Sequence, residues 1–204
     1  MSDRFHPISM EDLTHWVFTE LEEKNSIFGI PRELFFDPKA GERFGLEVYG
    51  QPLESPFGVA AGPHTQMAQN LIVAWLVGAR FLELKTVQTL DELDVNKPCI
   101  DIEDEGYNVE WSQELKVYES FDEYLRAWVL IHALHQRLGF PGDRPGMIFN
   151  MSVGYNLEGM LRPNVQWFFD TMNDASAYLG DYLDIVAGYA PEIRDVDVPA
   201  RLSD

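Results

Sequence analysis

The sequence predicts an α/β domain that forms the first part of a TIM, or (β/α)8, barrel preceded by an N-terminal helix. Buried strands are predicted near residues 57–60, 79–87 and 147–153, and a helical segment follows each of them. Strand and helix alternate in this way when the strands form a parallel sheet. A closed barrel needs eight such units and roughly 250 residues, whereas this chain has 204 residues. We therefore expect an incomplete barrel.

The N-terminal part is predicted to be one amphipathic helix over residues 9–24, which begins with the capping residue Ser9. Apolar side chains recur at helical spacing, at Leu13, Trp16, Val17 and Leu21. Residues 25–43 combine glycine and proline with large apolar side chains, which indicates an irregular but packed connection. We accordingly divide the chain into residues 1–43, the helix and its connection, and residues 44–204, the partial barrel.

The remaining segments follow from periodicity and from turn residues. Residues 44–49 alternate as a half-buried strand, and a turn through residues 50–52 is expected to lead into the first barrel strand. The polar segment 91–113 is predicted to be a long loop, and the tail 187–204 to be weakly structured. Helices are predicted over residues 66–78, 121–138 and about 162–179.

Composition excludes several classes of function. The chain has 15 basic and 34 acidic residues and a formal net charge of −19, which would repel a nucleic-acid backbone and an anionic membrane surface. The longest apolar run, residues 71–79, is too short to span a bilayer, and the N-terminus lacks an apolar signal core, so we expect a cytoplasmic protein. The single cysteine, Cys99, excludes an internal disulfide and an all-cysteine metal site. Redox chemistry here would need an organic cofactor or another part of a complex.

Small, cationic and amide-bearing residues lie at the C-terminal ends of the three predicted strands or directly after them. In parallel α/β folds the reactive groups gather at the C-terminal ends of the strands. Small residues at one strand end would form a flat floor, while the other two ends supply a cation, hydroxyls and amides. Such a surface suits a planar, electron-rich, partly anionic ring, and the lysine would stabilise negative charge on that ring. The residues are Ala60, Ala61, Gly62, Lys85, Thr86 and Asn156.

Each of these residues also has a structural explanation. Ala60, Ala61 and Gly62, which we call the floor, equally suit a tight turn from strand to helix. Lys85 could pair with Glu83 or with the acidic loop. Asn156 equally suits a turn or a helix cap.

Other patterns are less informative. His132 and His135 have helical spacing, but no carboxylate lies one turn away, which favours a core or surface position over a metal site. The acidic residues of segment 101–105 favour a solvated loop over a cation site. The sequence contains no phosphate loop, no Gly-x-Gly-x-x-Gly and no Gly-x-Ser-x-Gly. We therefore predict no metal site.

Several phrases of the sequence resemble a known family. Their residue ranges are 26–31, 60–66, 83–88, 97–101 and 149–159. They resemble the N-terminal half of the flavin-binding barrel of dihydroorotate and dihydropyrimidine dehydrogenases. Within that superfamily they are most similar to a large multidomain subunit described as a selenate reductase. The likeness runs from about Pro7 to the C-terminus.

The resemblance implies a barrel of the dihydroorotate dehydrogenase type with FMN in its mouth. It implies that the floor lines the flavin ring, that Lys85 lies by the pyrimidine edge of the ring with Thr86 beside it, and that Asn156 contacts the ring or the substrate. Asn108 matches an asparagine of the substrate loop. The catalytic acid or base of the superfamily is expected beyond Asp204. FAD and iron-sulfur clusters are implied for the full-length relative alone.

Together these observations predict the N-terminal part of a flavin-dependent oxidoreductase, in which FMN relays electrons to or from a small, heterocyclic substrate. The rest of the barrel or a redox partner subunit would complete the site, and the 204 residues alone are expected to be inactive. The alternative is a non-catalytic binding or assembly subunit, or a truncated fragment, that needs a partner to complete the barrel.

Overall fold

The computed structural model of the chain describes residues 6–38, 46–89, 100–102, 106–108 and 115–203. Of residues 100–102 and 106–108 it describes the backbone alone. Within these ranges, helices alternate with the strands of a parallel sheet, in agreement with the predicted fold class. The predicted boundary between residues 43 and 44 lies outside the described residues and stays a prediction.

Helix α1 spans Met10–Lys24, and its start follows from the sequence. The Asp12 N–H donates to the Ser9 hydroxyl oxygen at 3.0 Å, which caps the helix as predicted. Leu13, Val17 and Phe18 are buried against the rest of the domain. The N-terminal helix therefore belongs to the same core as the strands.

Two antiparallel hairpins follow α1. The first pairs β1, Ser26–Ile27, with β2, Ile30–Pro31, and the second pairs β3, Leu46–Val48, with β4, Gln51–Leu53. The second hairpin turns at Tyr49 and Gly50, whose φ angles are 52° and 77°. Two left-handed residues reverse a chain within a two-residue loop. The predicted turn through residues 50–52 is thus wrong for Gln51 and Pro52, which already pair with β3.

The central sheet is parallel and contains the three predicted barrel strands. In chain order the elements are β5 Gly58–Val59, α2 Ala68–Leu76, β6 Phe81–Glu83, β7 Ile100–Ile102, β8 Gly106–Asn108, α3 Val117–Leu138 and β9 Ile148–Asn150. Strands β5, β6 and β9 are hydrogen-bonded in that order, with Val59 beside Leu82 and Leu82 beside Phe149. Strands β7 and β8 form a separate antiparallel hairpin inside the predicted long loop.

The two faces of the parallel sheet differ. Leu82 and Phe149 are buried in the core that the helices form, and Val59 packs against it. Side chains alternate along a strand, so the other residues of these strands lie on the opposite face, which we call the inner face. Its residues are Gly58, Phe81, Glu83, Ile148 and Asn150.

Helix α3 is the central helix of the layer that covers the sheet. It contacts α2 and two later helices, α5 (Pro163–Asn173) and α6 (Ser176–Ala187), which follow the short helix α4 (Leu157–Met160). It begins four residues before the predicted start at residue 121. The backbone N–H of Lys116 donates to the Glu119 carboxylate at 2.8 Å, and this cap fixes the earlier start.

The predicted helix over residues 162–179 begins where α5 begins, but its prediction as one continuous helix is wrong, because the chain breaks between α5 and α6. Asp174 is extended, with φ −149°, and its carboxylate accepts the Ser176 N–H at 3.0 Å. The Ala175 N–H donates instead to the Ala200 carbonyl oxygen at 2.8 Å. The hydrogen bond to the C-terminal segment therefore uses the Ala175 N–H group that a continuous helix would need.

The tail from residue 187 was predicted to be weakly structured, and this is also wrong. Residues Pro191–Asp195 form a 3-10 helix, and Ile193, Val198 and Leu202 are buried. Their apolar side chains fill the core without a helical or strand period, so periodicity could not reveal them. No helix in the described ranges has the length and apolar character needed to cross a membrane.

His132 lies inside the core on α3, and its titration should make the fold sensitive to acid. Burial, the largest cause, lowers its pKa from 6.5 to about 4, although the hydrogen bond between Nδ1 and the Trp128 carbonyl oxygen at 2.8 Å opposes the shift. Because the folded pKa lies below the unfolded one, the stability from the neutral ring is complete above pH 6.5 and is lost as the pH falls towards 4.

We expect the free energy of unfolding, from urea titrations, to fall by about 3 kcal/mol more across this pH range in the wild type than in His132→Gln. The control is His15→Gln, whose ring is exposed on α1 and which should keep the wild-type pH dependence. The same pH dependence in the wild type and in His132→Gln would contradict this assignment.

Candidate functional site

The fold brings the three predicted strand ends together. Pairing between β6 and β9 continues beyond the strands, since the Leu84 N–H donates to the Asn150 carbonyl oxygen at 2.9 Å and Val87 lies beside Val153 in a parallel bridge. The floor follows β5, which is the other neighbour of β6. The floor, Lys85 and Thr86 therefore lie at the same edge of one sheet, as the sequence predicted.

The floor is partly open, but its amides are already bonded. Ala60 is exposed, Ala61 is half-buried and Gly62 is buried. The Ala61 N–H donates to the Glu83 carboxylate at 3.1 Å, and the Gly62 N–H donates to the Thr65 hydroxyl oxygen at 3.1 Å. A ring placed on this surface would thus meet the alanine methyl groups rather than the N–H groups of Ala61 and Gly62.

Gly62 has a local structural reason to be small. Its φ of 178° is extended backbone that any residue adopts, so conformational freedom does not explain it. A Cβ atom at this position would lie 2.7 Å from Cε1 of the exposed His64 ring. Because His64 is exposed, its ring can rotate away to admit a Cβ atom, so this contact is only a weak reason for glycine in the turn.

Lys85 is buried and its backbone is held on two sides. The residue is only 3% exposed to solvent. The Lys85 N–H donates to the Thr65 carbonyl oxygen at 3.3 Å, and the Lys85 carbonyl oxygen accepts the Tyr124 hydroxyl proton at 2.8 Å. Burial raises the pKa of Tyr124, so this hydroxyl remains a proton donor. These two hydrogen bonds therefore fix the backbone position from which the lysine side chain extends.

Thr86 is paired with the end of the third strand. Its hydroxyl oxygen lies 2.9 Å from that of Ser152, and both residues are partly buried. A Cβ atom on Gly154 would lie 3.1 Å from the Thr86 methyl carbon, so glycine leaves room for the threonine. This hydroxyl pair joins two of the three strand ends.

The asparagines are placed differently. Asn156 is exposed, and its side-chain oxygen accepts the Gly159 N–H at 2.8 Å, which makes it the N-cap of α4. The capping alternative therefore describes the contact that this residue makes, and its contact with a ring or substrate stays a prediction. Asn108 ends strand β8, where the structure describes the backbone but not the side chain.

Glu123 of α3, which the sequence reasoning missed, caps the helix α2 that follows the floor. Helix α2 has no side-chain cap of its own, and the Ala68 N–H donates instead to the Glu123 carboxylate at 2.7 Å. Arg126 donates to the same carboxylate at 2.6 Å. Burial, the largest cause, raises the pKa of Glu123, while the Ala68 and Arg126 contacts oppose that shift. No local motif reveals this cap because Glu123 lies 55 positions from Ala68.

The sequence predicted no metal site at the two histidines with helical spacing. His132 and His135 are both buried in the core, as one of the two alternatives expected. In the part of the chain that the structure describes, no cluster of three or more His, Cys, Asp or Glu residues could hold a metal ion. The acidic side chains of segment 101–105 lie outside the described residues.

A cavity of about 230 Å³ lies away from the floor, beside residues that precede β5 and β9. Its lining includes Glu54, Arg144 and Gly146. In a parallel barrel this is the end opposite the reactive groups. The cavity is therefore separate from the candidate site.

The family to which the sequence is similar is consistent with this geometry. A family model described as the N-terminal TIM-barrel domain of oxidoreductase YgfK matches residues 28–190. The match covers more than half of the chain and includes β5, β6 and β9 with the residues that follow them. No solved structure matches the chain.

Two curated relatives come from Escherichia coli, one from strain K12 and one from O157:H7, and both are provisionally named oxidoreductase YgfK. Each is 49% identical to the chain over 176 residues, which is 86% of this chain. The matched part is only 17% of each relative. The chain thus spans about a sixth of the length of the curated relatives that it matches.

Proposed function

This chain belongs to the family of the N-terminal TIM-barrel domain of oxidoreductase YgfK, and on that premise we propose that it forms one wall of an FMN site in a flavin-dependent oxidoreductase. The proposed flavin relays electrons to or from a small substrate, for which we favour a heterocycle. The observation that carries the proposal is the meeting of the floor, Lys85 and the Thr86–Ser152 pair at one edge of a parallel sheet.

The residues present fit a flavin in shape and in charge. Ala60 is exposed and Ala61 half-buried, so their small side chains leave a surface that a flat ring can cover. The backbone of Lys85 lies at the same sheet edge, and we propose that its buried side chain supplies a cation there. FMN, when bound, supplies electron and hydride transfer. The role of this chain would be to place the ring, exclude water from one side and favour negative charge on it.

The neighbouring contacts support this role because they fix the backbone position of Lys85. Tyr124 and Thr65 hold the Lys85 backbone, and Glu123 holds the first turn of α2 that follows the floor. Groups positioned before a reaction cost less reorganisation when charge develops. We propose that the acid or base, the flavin phosphate site, and any FAD or iron-sulfur cluster belong to other parts of the full gene product.

The test is the substitution Lys85→Ala in the full gene product. We expect FMN retained after purification, from the flavin absorbance per protein, to fall about tenfold, which corresponds to about 1.4 kcal/mol. Any flavin that remains should have a lower midpoint potential, because its reduced form loses a nearby cation. Lys24→Ala, an exposed lysine of α1, is the matched control and should behave as the wild type. Unchanged flavin content and potential in Lys85→Ala would remove Lys85 from this role.

A second candidate is a non-catalytic assembly function. It is favoured by β5, an end strand of the described sheet, on which Gly58 is exposed. Exposed strand edges promote association with another chain. The same flavin measurement separates the two candidates, because an assembly role requires no FMN in the wild-type gene product.

A further inference from the structure

Glu83 is a charged residue on the inner face that the proposed function does not yet use. It ends β6, is half-buried, and pairs in register with Asn150 of β9. Its carboxylate accepts the Ala61 N–H at 3.1 Å. Glutamate is uncommon at such positions unless it has a partner. A carboxylate therefore lies directly against the floor.

The bond from Ala61 to Glu83 links two strand ends. Ala61 follows β5, and Glu83 belongs to β6, so the bond continues the contact between these strands where backbone pairing stops at Val59 and Leu82. Hydrogen bonds to an ionised acceptor are stronger than those between neutral groups. Loss of the carboxylate would release the Ala61 amide and loosen the floor.

Glu83 also lies two residues before Lys85 on the same chain segment. Leu82 is in the core, so the alternation places Glu83 on the inner face, and the Cα atoms of Glu83 and Lys85 are about 6–7 Å apart along the extended segment. At such a distance two opposite charges act on the same bound group. The carboxylate must then oppose part of the effect of the lysine.

From these contacts we propose that Glu83 is a positioning residue that fixes the floor and also lowers the reduction potential of the bound flavin. The inference rests on the proposed function. Reduction of the flavin takes up two electrons and one proton at neutral pH, so the reduced ring carries one more negative charge than the oxidised ring. Glu83 repels that charge, whereas Lys85 attracts it. The reduction potential of the flavin would therefore lie between the higher value that Lys85 alone would give and the lower value that Glu83 alone would give.

The experiment compares Glu83→Gln, which keeps an acceptor for Ala61, with Glu83→Ala, which removes it, in the full gene product. Glu47→Gln, an exposed residue of β3, changes the net charge equally and serves as the control. Two quantities are measured. The first is hydrogen–deuterium exchange of a peptide covering residues 57–67 in flavin-free protein. The second is the flavin midpoint potential, titrated with a low-potential chemical reductant.

We expect faster exchange of residues 57–67 in Glu83→Ala and near wild-type exchange in Glu83→Gln. At a fixed solution potential the ratio of reduced to oxidised flavin should rise about tenfold in Glu83→Gln and stay unchanged in Glu47→Gln. If the wild type holds FMN but Glu83→Gln shifts the ratio no more than Glu47→Gln, the inference fails and the proposed function stands. Wild-type exchange in Glu83→Ala would equally overturn it. If the wild type holds no FMN, the proposed function itself fails.

Discussion

Replacement of Arg80 by leucine is expected to lower the free energy of unfolding by about 3–5 kcal/mol, because it removes the ion-pair partner of the largely buried Glu54 carboxylate. The Arg80 side chain is fully buried, and its Nε donates to Glu54 at 2.6 Å. Another guanidinium nitrogen donates to the Trp75 and Ala79 carbonyl oxygens at 2.7 and 3.0 Å. Burial, the largest cause, lowers the pKa of Arg80, while the charge of Glu54 and the hydrogen bond to it oppose that shift.

The matched control is Arg144→Leu, which removes an exposed ion pair with Asp197. Exposed pairs contribute about 0–1 kcal/mol, so we expect a change in that range. Both variants are measured by urea unfolding followed by circular dichroism. Equal losses in Arg80→Leu and Arg144→Leu would show that burial of the Arg80 pair has no energetic consequence.

The second large effect is expected at Gly58, where alanine should lower the free energy of unfolding by about 1–3 kcal/mol. A Cβ atom there would lie 2.6 Å from the Phe81 carbonyl oxygen and 3.0 Å from the Phe81 Cβ atom. The first of these neighbours is backbone of the adjacent strand, so relief requires β5 and β6 to separate. Because the floor directly follows β5, we also expect FMN retention to fall in the full gene product.

Gly180→Ala provides a control of opposite sign. Gly180 lies inside α6, and a Cβ atom there would meet nothing within 4 Å. Alanine in a helix interior is favoured over glycine by about 1 kcal/mol, so this variant should gain stability. Thermal unfolding gives both changes. A stable Gly58→Ala variant with unchanged flavin retention would show that the strands can absorb the added methyl group.

The order of strands and the location of the floor could be predicted from the sequence because they depend on local patterns. Apolar runs followed by helical periodicity identified β5, β6 and β9, and parallel order then placed Lys85 at the same sheet edge as the floor. The Ser9 cap of α1 was equally local, since its bond spans three residues. Features that depend on residues within one helix or strand could therefore be predicted from the sequence.

The contacts that position the candidate site could not be predicted, because they join distant segments. The cap of α2 comes from Glu123 on α3, and the bond that fixes Ala61 comes from Glu83 on the next strand. Arg80 also follows an apolar helix with no local sign that Glu54 would neutralise it. Each of these polar groups pairs across the fold, so its role appears only when the strands are placed side by side.

The Met151 amide just beyond β9 has a consequence for any strand that adds there. Its N–H already donates to the Ser203 hydroxyl oxygen at 2.7 Å, and Leu202 beside that serine is buried. An incoming strand that bonds to this amide must first displace the hydroxyl, so one hydrogen bond is exchanged for another. Such an exchange is nearly neutral in free energy. Whether a strand adds at this amide would therefore depend on the contacts that the side chains of the new strand make.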